Sequence, residues 1–213
     1  DDDNDGISDC MEKNLSTASS IEEIFKLNGN ATKISADEVR LTSDSIEKSG
    51  QMWSYGKVDF NNSFTLNFQA YLGSNDAGAD GIATVFHNDS LGVNAKGTSG
   101  DGLGARGIKN GIVLELDTYD NNDFGDLDDD HGQIWDSDDQ SSLTDAISLG
   151  KLGNLEDSTW HKVVINWNAT TKTISYTVDS IMAGSYRNDS LVTKHFGGAS
   201  KVYFGYTAST GGS

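Results

Sequence analysis

Phe64, Leu66, Phe68 and Ala70 alternate with Thr65, Asn67 and Gln69, and the same two-residue period returns at Val163, Ile165 and Trp167. Successive side chains of a strand point to opposite faces, so each stretch presents one apolar face and one polar face. Residues 82–86 (Ile-Ala-Thr-Val-Phe) form a nearly continuous apolar run instead, the pattern of a strand buried on both faces. Residues 168–172 turn the Trp167 strand back into 173–179, which reads as a hairpin. Residues 201–207 supply one more strand, and helical periodicity is weak everywhere except over 19–27. Pro is absent, so the chain must turn on Gly, Asn, Asp and Ser. Short strands separated by such turns predict an all-β fold, an antiparallel sandwich or jelly roll.

Three zones follow one another, with no internal repeat. Residues 1–20 are acidic and then Ser/Thr-rich, which suits a small metal loop and a linker. Residues 21–118 read mostly as strands. A Gly-rich loop (Gly92, Gly97, Gly100, Gly102, Gly104, Gly107) precedes the strand 112–119. That loop lacks a Lys-Ser/Thr pair and a following helix pattern, so a phosphate cradle is a weak reading of it. The third zone opens with an acidic loop and resumes strands near Trp160. Hydrophobic residues make up 35% of 213, enough for one sizeable core, and the length accommodates one large β domain or two small ones.

The net charge of −18 excludes a sequence-independent grip on nucleic-acid phosphates and disfavours anionic membrane surfaces. No apolar run approaches the roughly 20 residues that span a bilayer, so direct membrane insertion is not expected. Cys10 is the only cysteine, which rules out an internal disulfide framework. It fits a reducing compartment or a secreted protein stabilised by other means, such as metal ions. The start at Asp1, Asp2 and Asp3 reads as a mature or excised fragment. Residues 1–12 and 115–145 together hold 18 of the 33 acids and no Lys or Arg, and the other 15 acids match the 15 bases. The charge therefore has two addresses.

At the second address, Glu115, Asp117 and Tyr119 share one strand face, with Leu114 and Leu116 opposite. Two carboxylates side by side on a buried face repel unless a cation lies between them, and no nearby base can supply it. A divalent metal is the economical answer. Asp, Asn and a backbone carbonyl suit Ca²⁺, and adding the His131 imidazole suits a transition metal such as Mn²⁺. A solvated acidic loop accounts better for residues 128–130 and 136–139. His87, His161 and His195 have no ligand spacing and read as surface or strand residues.

Glu115, Asp117, Tyr119, Asn121, Asp126 and His131 stand at the spacing of the metal signature of the legume-type (L-type) lectins, and the sequence resembles that family there. Ala79-Asp80-Gly81, Gly102-Leu103-Gly104, the strand opening at Trp160-His161 and the segment 205–211 resemble further family segments. The likeness covers about residue 21 to the end, and the loop at 107–110 resembles lectin modules of bacterial surface adhesins more than seed lectins. The resemblance implies a jelly-roll lectin domain over 21–213 (a concanavalin-like fold) behind a segment 1–20. It implies calcium held by Asp117, the Tyr119 carbonyl, Asn121 and Asp126, and manganese or another transition metal held by Glu115, Asp117, Asp126 and His131. A sugar would meet the Asp80 carboxylate, the Asn121 amide, a backbone N–H at Asp101 or Gly102, and the Tyr119 ring, with Gly212 and Ser213 closing the rim. The Ala79–Asp80 peptide would be cis. Family members usually continue with a final strand, so this chain is either trimmed at Ser213 or has that strand supplied otherwise.

Asp1, Asp3, Asp5, Gly6, Asp9 and Glu12 follow a calcium-loop spacing and resemble EF-hand-like and thrombospondin type 3 repeats, which link domains of extracellular proteins. The expectation is a non-catalytic, calcium-dependent glycan-binding module of a larger secreted or cell-surface adhesin. Two rivals stand beside it. One is a laminarinase-type glycoside hydrolase on the same fold, whose Glu-x-Asp-x-x-Glu strand would here end in Asp120, one methylene short. The other is a structural spacer that metals merely stiffen.

Overall fold

The computed structural model describes residues 18–121, 127–128, 130–148 and 154–211. The N-terminal ligands Asp1, Asp3, Asp5, Asp9 and Glu12, and Cys10, lie outside the described residues, as do Asp126, Gly212 and Ser213.

The strands run β1 (Phe25–Gly29), β2 (Thr32–Lys33), β3 (Val39–Arg40), β4 (Ser49–Asp59), β5 (Phe64–Ala70), β6 (Gly81–His87), β7 (Gly111–Asp117), β8 (His131–Asp136), β9 (Ile147–Ser148), β10 (His161–Asn168), β11 (Thr173–Val178), β12 (Ile181–Arg187) and β13 (Lys201–Ser209). One short helix, α1 (Leu191–His195), lies between β12 and β13. Seven strands form one sheet in the order β1-β4-β13-β6-β7-β8-β9, and four form a second in the order β12-β11-β10-β5. Neighbouring strands pair antiparallel throughout. The all-β antiparallel sandwich that the alternation predicts is the fold observed.

The four-stranded sheet keeps one face wet. In β10, His161, Val163, Ile165 and Trp167 are buried while Lys162, Asn166 and Asn168 are exposed. Opposite them stand Phe68, Leu66 and Phe64 of β5. These apolar side chains meet Phe86, Ile112, Leu114, Leu116 and Ile134 of the larger sheet in the main core. Every residue of β7 is buried. The reason is a second core on the far face of the larger sheet, where Trp53, Val85, Val113 and Trp135 pack under Ala95, Leu103, Ala105 and Ile108 of the Gly-rich loop. Such double burial accounts for the continuous apolar run in β6.

Several expectations need correction. Residues 19–27 are not a helix: Ile21–Glu23 make one 3₁₀ turn, and Phe25 and Leu27 then pair with Ser54 and Met52 of β4. The run was too short to outweigh strand pairing at a sheet edge. The acidic zone is not all loop, because β8 lies inside it, paired along β7 from Asp117↔His131 to Ile112↔Asp136. Asp130 and Asp136 are not merely solvated: Asp130 accepts the Leu155 N–H at 2.5 Å and Asp136 meets His195 at 2.6 Å. His87 and His161 are strand residues as expected, ending β6 and opening β10, and both are buried; His195 is neither strand nor surface, being buried on α1. Among the described residues no helix is long and apolar enough to cross a membrane.

Candidate metal centre and ligand pocket

The register of β7 and β8 sets Asp117 directly opposite His131, and Glu115 two residues back on the same face. Glu115, Asp117 and His131 are 2%, 3% and 1% exposed. Each offers a ligand atom within 4.8 Å of the others. The His131 Nε2 to Glu115 Oε1 separation is 3.8 Å, too long for a hydrogen bond. It is within the span of two ligands bound to one ion at about 2.0–2.2 Å each. Two carboxylates this close repel by about 3–4 kcal/mol at an effective dielectric of about 20. The donor set of two carboxylates and one imidazole therefore fits a divalent transition metal.

Neighbouring groups fix these ligands. The Trp135 indole N–H donates to the other Glu115 oxygen. The Tyr176 hydroxyl crosses from the four-stranded sheet to donate to the Glu115 carbonyl at 2.6 Å. Position 132 has to be glycine, since a Cβ there would lie 2.5 Å from that hydroxyl. The Tyr119 N–H donates to Asp117 Oδ1 at 2.9 Å, curling the chain after β7 back toward its own acid.

Beside this cluster, a cavity of about 410 Å³ is lined by Ala79, Asp80, Gly100, Asp101, Tyr119, Asn121 and Gly211. Four separate segments meet there. The Ala79–Asp80 peptide is cis. The Asp80 N–H donates to the Ser209 carbonyl at 3.1 Å, and the Asp80 carbonyl accepts from the Thr118 N–H at 3.0 Å. Asp80 is thus strung between the end of β13 and the residue after the metal strand. Asp80 is 3% exposed. Burial pushes its pKa up, the Ser209 hydroxyl pulls it part of the way back, and the charge of Asp101 adds to the rise. The Ser209 hydroxyl stands 3.4 Å from Asp80 Oδ2 and 2.7 Å from the Gly100 carbonyl. With one proton to give, it favours the nearer acceptor, so its bond to the Asp80 carboxylate is the weaker of the two. The Tyr119 ring stands 40% exposed at the same opening.

Of the residues that the sequence singled out, the structure brings Asp80, Asp101, Tyr119 and Asn121 to the cavity, and Glu115, Asp117 and His131 to the cluster. Gly102 is not among the residues that line the cavity; it is buried, its carbonyl accepting the Ala105 and Arg106 N–H groups. Asp126, Gly212 and Ser213 lie outside the described residues. Sequence reasoning missed Arg106, whose guanidinium grips Asp101 with two bonds of 2.6 and 2.8 Å. It also missed Gln140, which accepts from Arg106 at 2.9 Å and donates to the Asp101 carbonyl at 2.9 Å. A lone Arg five residues after an Asp within a Gly-rich loop was the available signal.

Comparison with known proteins gives a consistent result. A family model described as a legume lectin beta-barrel domain matches residues 16–213. A lectin from Bauhinia forficata in complex with GalNAc superposes with a TM-score of 0.74 at 18% identity, covering 90% of this chain and 87% of the other. The winged bean acidic lectin complexed with methyl-α-D-galactose superposes with a TM-score of 0.71 at 19% identity, covering 91% and 87%. At these identities the likeness is one of fold. The pesticidal crystal protein Cry22Aa of Bacillus thuringiensis is 29% identical over 174 residues, which are 73% of this chain. The chain spans about a quarter of that relative's length (24%).

Proposed function

The chain belongs to the legume-type lectin domain family, and on that premise we propose that it is a calcium-dependent, non-catalytic carbohydrate-binding module. The observation that carries this reading is the buried Asp80, whose carboxylate has one long bond from Ser209, lining an open cavity together with the exposed Tyr119. Sugars are polyols with apolar faces: vicinal hydroxyls can donate to the Asp80 carboxylate, and the Tyr119 ring packs on the C–H face. The Asn121 amide and the backbone at Asp101 add orienting contacts.

Asp117, the Tyr119 carbonyl, Asn121 and Asp126 would hold calcium. Glu115, Asp117, Asp126 and His131 would hold manganese or another transition metal. Bound ions neutralise the carboxylates and stiffen the segment that carries Tyr119 and Asn121. A hydrolase nucleophile must reach a glycosidic bond, whereas Glu115 is 2% exposed and held by the Trp135 indole, which favours binding over hydrolysis. The match to a quarter of a longer relative supports a module of a larger protein, and we place it at the cell surface or outside the cell, in an adhesin role.

A glycan array that includes galactose and GalNAc, run with calcium and again with chelator, tests the reading. Binding that needs calcium is the expected result, with no reducing ends released from β-glucans. Absence of calcium-dependent binding to any glycan sinks it.

A further inference from the structure

Tyr71 directly follows β5 and Trp160 directly precedes β10, and the two are 47% and 49% exposed. Their rings are in contact, with centroids 5.5 Å apart and planes inclined at 46°. The pair is held in register from both sides. Ala70 pairs with His161 where the two strands end, and beyond the rings the Ser158 N–H donates to the Gly73 carbonyl at 2.9 Å. Tyr71 and Trp160 therefore stand opposite each other on the ladder that joins β5 to β10. By alternation, the next pair on their face is Gln69 and Lys162, both exposed, about 7 Å along the strands. Core packing accounts for Phe64, Phe68 and Trp167 in the same two strands; it does not account for two rings standing in water.

We propose that Tyr71 and Trp160 form a second glycan contact, independent of the metals, on which a sugar ring of a polysaccharide stacks. Neither residue lines the Asp80 cavity. That the occupant is a sugar rests on the lectin reading above, and the chemistry and size of the surface agree with it. A pyranose presents an apolar C–H face to the rings, and hydroxyls at its edge to the Gln69 amide and the Lys162 ammonium. An aromatic side chain has roughly 150–250 Å² to bury, so two half-exposed rings offer about 200 Å², a quarter of the roughly 800 Å² per partner in a stable protein interface. A second copy of the chain or another protein would find too little to hold. The net charge of −18 repels the phosphates that accompany a nucleic-acid base. Only residues 72–79 separate Tyr71 from Asp80, so the two contacts are carried by one connection, from β5 to β6.

Of the four tryptophans, Trp53, Trp135 and Trp167 are buried, so quenching of fluorescence by acrylamide reads Trp160 selectively. The whole chain is titrated with galactomannan, laminarin and chitohexaose in chelator, which silences the calcium-dependent cavity; Asp80→Ala with calcium present silences it a second way. At least one of these glycans is expected to shield Trp160 in both settings. Tyr71→Ala, followed by quenching, and Trp160→Ala, followed by affinity electrophoresis, should each weaken that binding at least about fivefold. Both side chains are exposed, so the variants keep the fold, and calcium-dependent binding of galactose or GalNAc should stay as in the wild type. Shielding by none of the three glycans, or equal affinity in the variants and the wild type, overturns this inference, and calcium-dependent binding then leaves the lectin reading standing. Shielding that rises with protein concentration alone, with dimers in sedimentation, assigns the surface to a second copy and overturns it as well. A wild type that binds no glycan with or without calcium overturns both.

Discussion

His195 and His131 are both almost wholly buried and both face an aspartate, yet their surroundings balance differently. His195 lies between Asp136, 2.6 Å from Nδ1, and the Tyr186 hydroxyl, 3.2 Å from Nε2. Asn188 then donates to that hydroxyl at 2.6 Å. One carboxylate meets one imidazole, both ring nitrogens are engaged, and the chain of hydrogen bonds ends on a neutral amide. Around His131 two carboxylates converge on one imidazole. A histidine beside an acid is thus no sign of a metal in itself; surplus negative charge is. His87 makes a third case: its Nδ1 accepts the Asp89 N–H at 3.2 Å, while its Nε2 meets no partner.

The comparison can be broken most severely at Asp117. Asp117→Asn should abolish glycan binding, a loss of at least about 100-fold, and should remove this centre's share of the thermal shift that calcium produces. That share is worth about 2.7 kcal/mol when the metal stands at a hundred times its Kd. A variant that gains as much stability from calcium as the wild type would remove the distinction between the two clusters.

His87 should register next. Its pKa is lowered to about 4, first by burial, with Lys57 adding to the fall and Asp89 opposing it. Above about pH 6.5 folded and unfolded states both carry it neutral, and it costs nothing. Below that, the unfolded chain takes up the proton first, so stability is lost as pH falls from about 6.5 to about 4. The full loss is about 3 kcal/mol. Urea unfolding at both ends of that window should show it, and His87→Leu should flatten the slope. The ring packs edge-on against Trp53 at 4.4 Å, so the variant also loses some stability at neutral pH.

His195→Phe should cost about 2 kcal/mol by leaving Asp136 and Tyr186 without their bridge. The cost should be equal with and without calcium, which is what separates this cluster from the first. Arg106→Ala is the gentlest probe. Freeing Asp101 from its two-bonded clamp should weaken glycan binding by about three- to tenfold, with calcium affinity unchanged in the same titration.

The residues explain how much of this was legible in advance. In β5 and β10 one face is wet and the other dry, so a two-residue period marks them in the sequence. In β8 the period is masked, because His131 and Gln133 are polar yet buried, facing the second core and the metal centre. Glu115, Asp117 and Tyr119 shared a face by simple alternation, but Asp80 could be singled out only through the family resemblance, since Asp before Gly is ordinarily a turn former. The clamp of Arg106 on Asp101, secured by Gln140, depends on how a loop closes, which no local pattern encodes. The burial of His87, His161 and His195 was equally hidden, because residue type does not announce its partner.

β13 lies in the middle of the seven-stranded sheet, between β4 and β6, although it is the last strand in chain order among those described. During synthesis, β4 and β6 must wait with open edges until residues 201–209 emerge and slot between them. Only then do the Ser209 carbonyl and the Gly211 N–H arrive to meet the Asp80 N–H and the Ala79 carbonyl. The cavity beside Asp80 is therefore incomplete until this strand has emerged, and it closes in one step when the two half-sheets are joined.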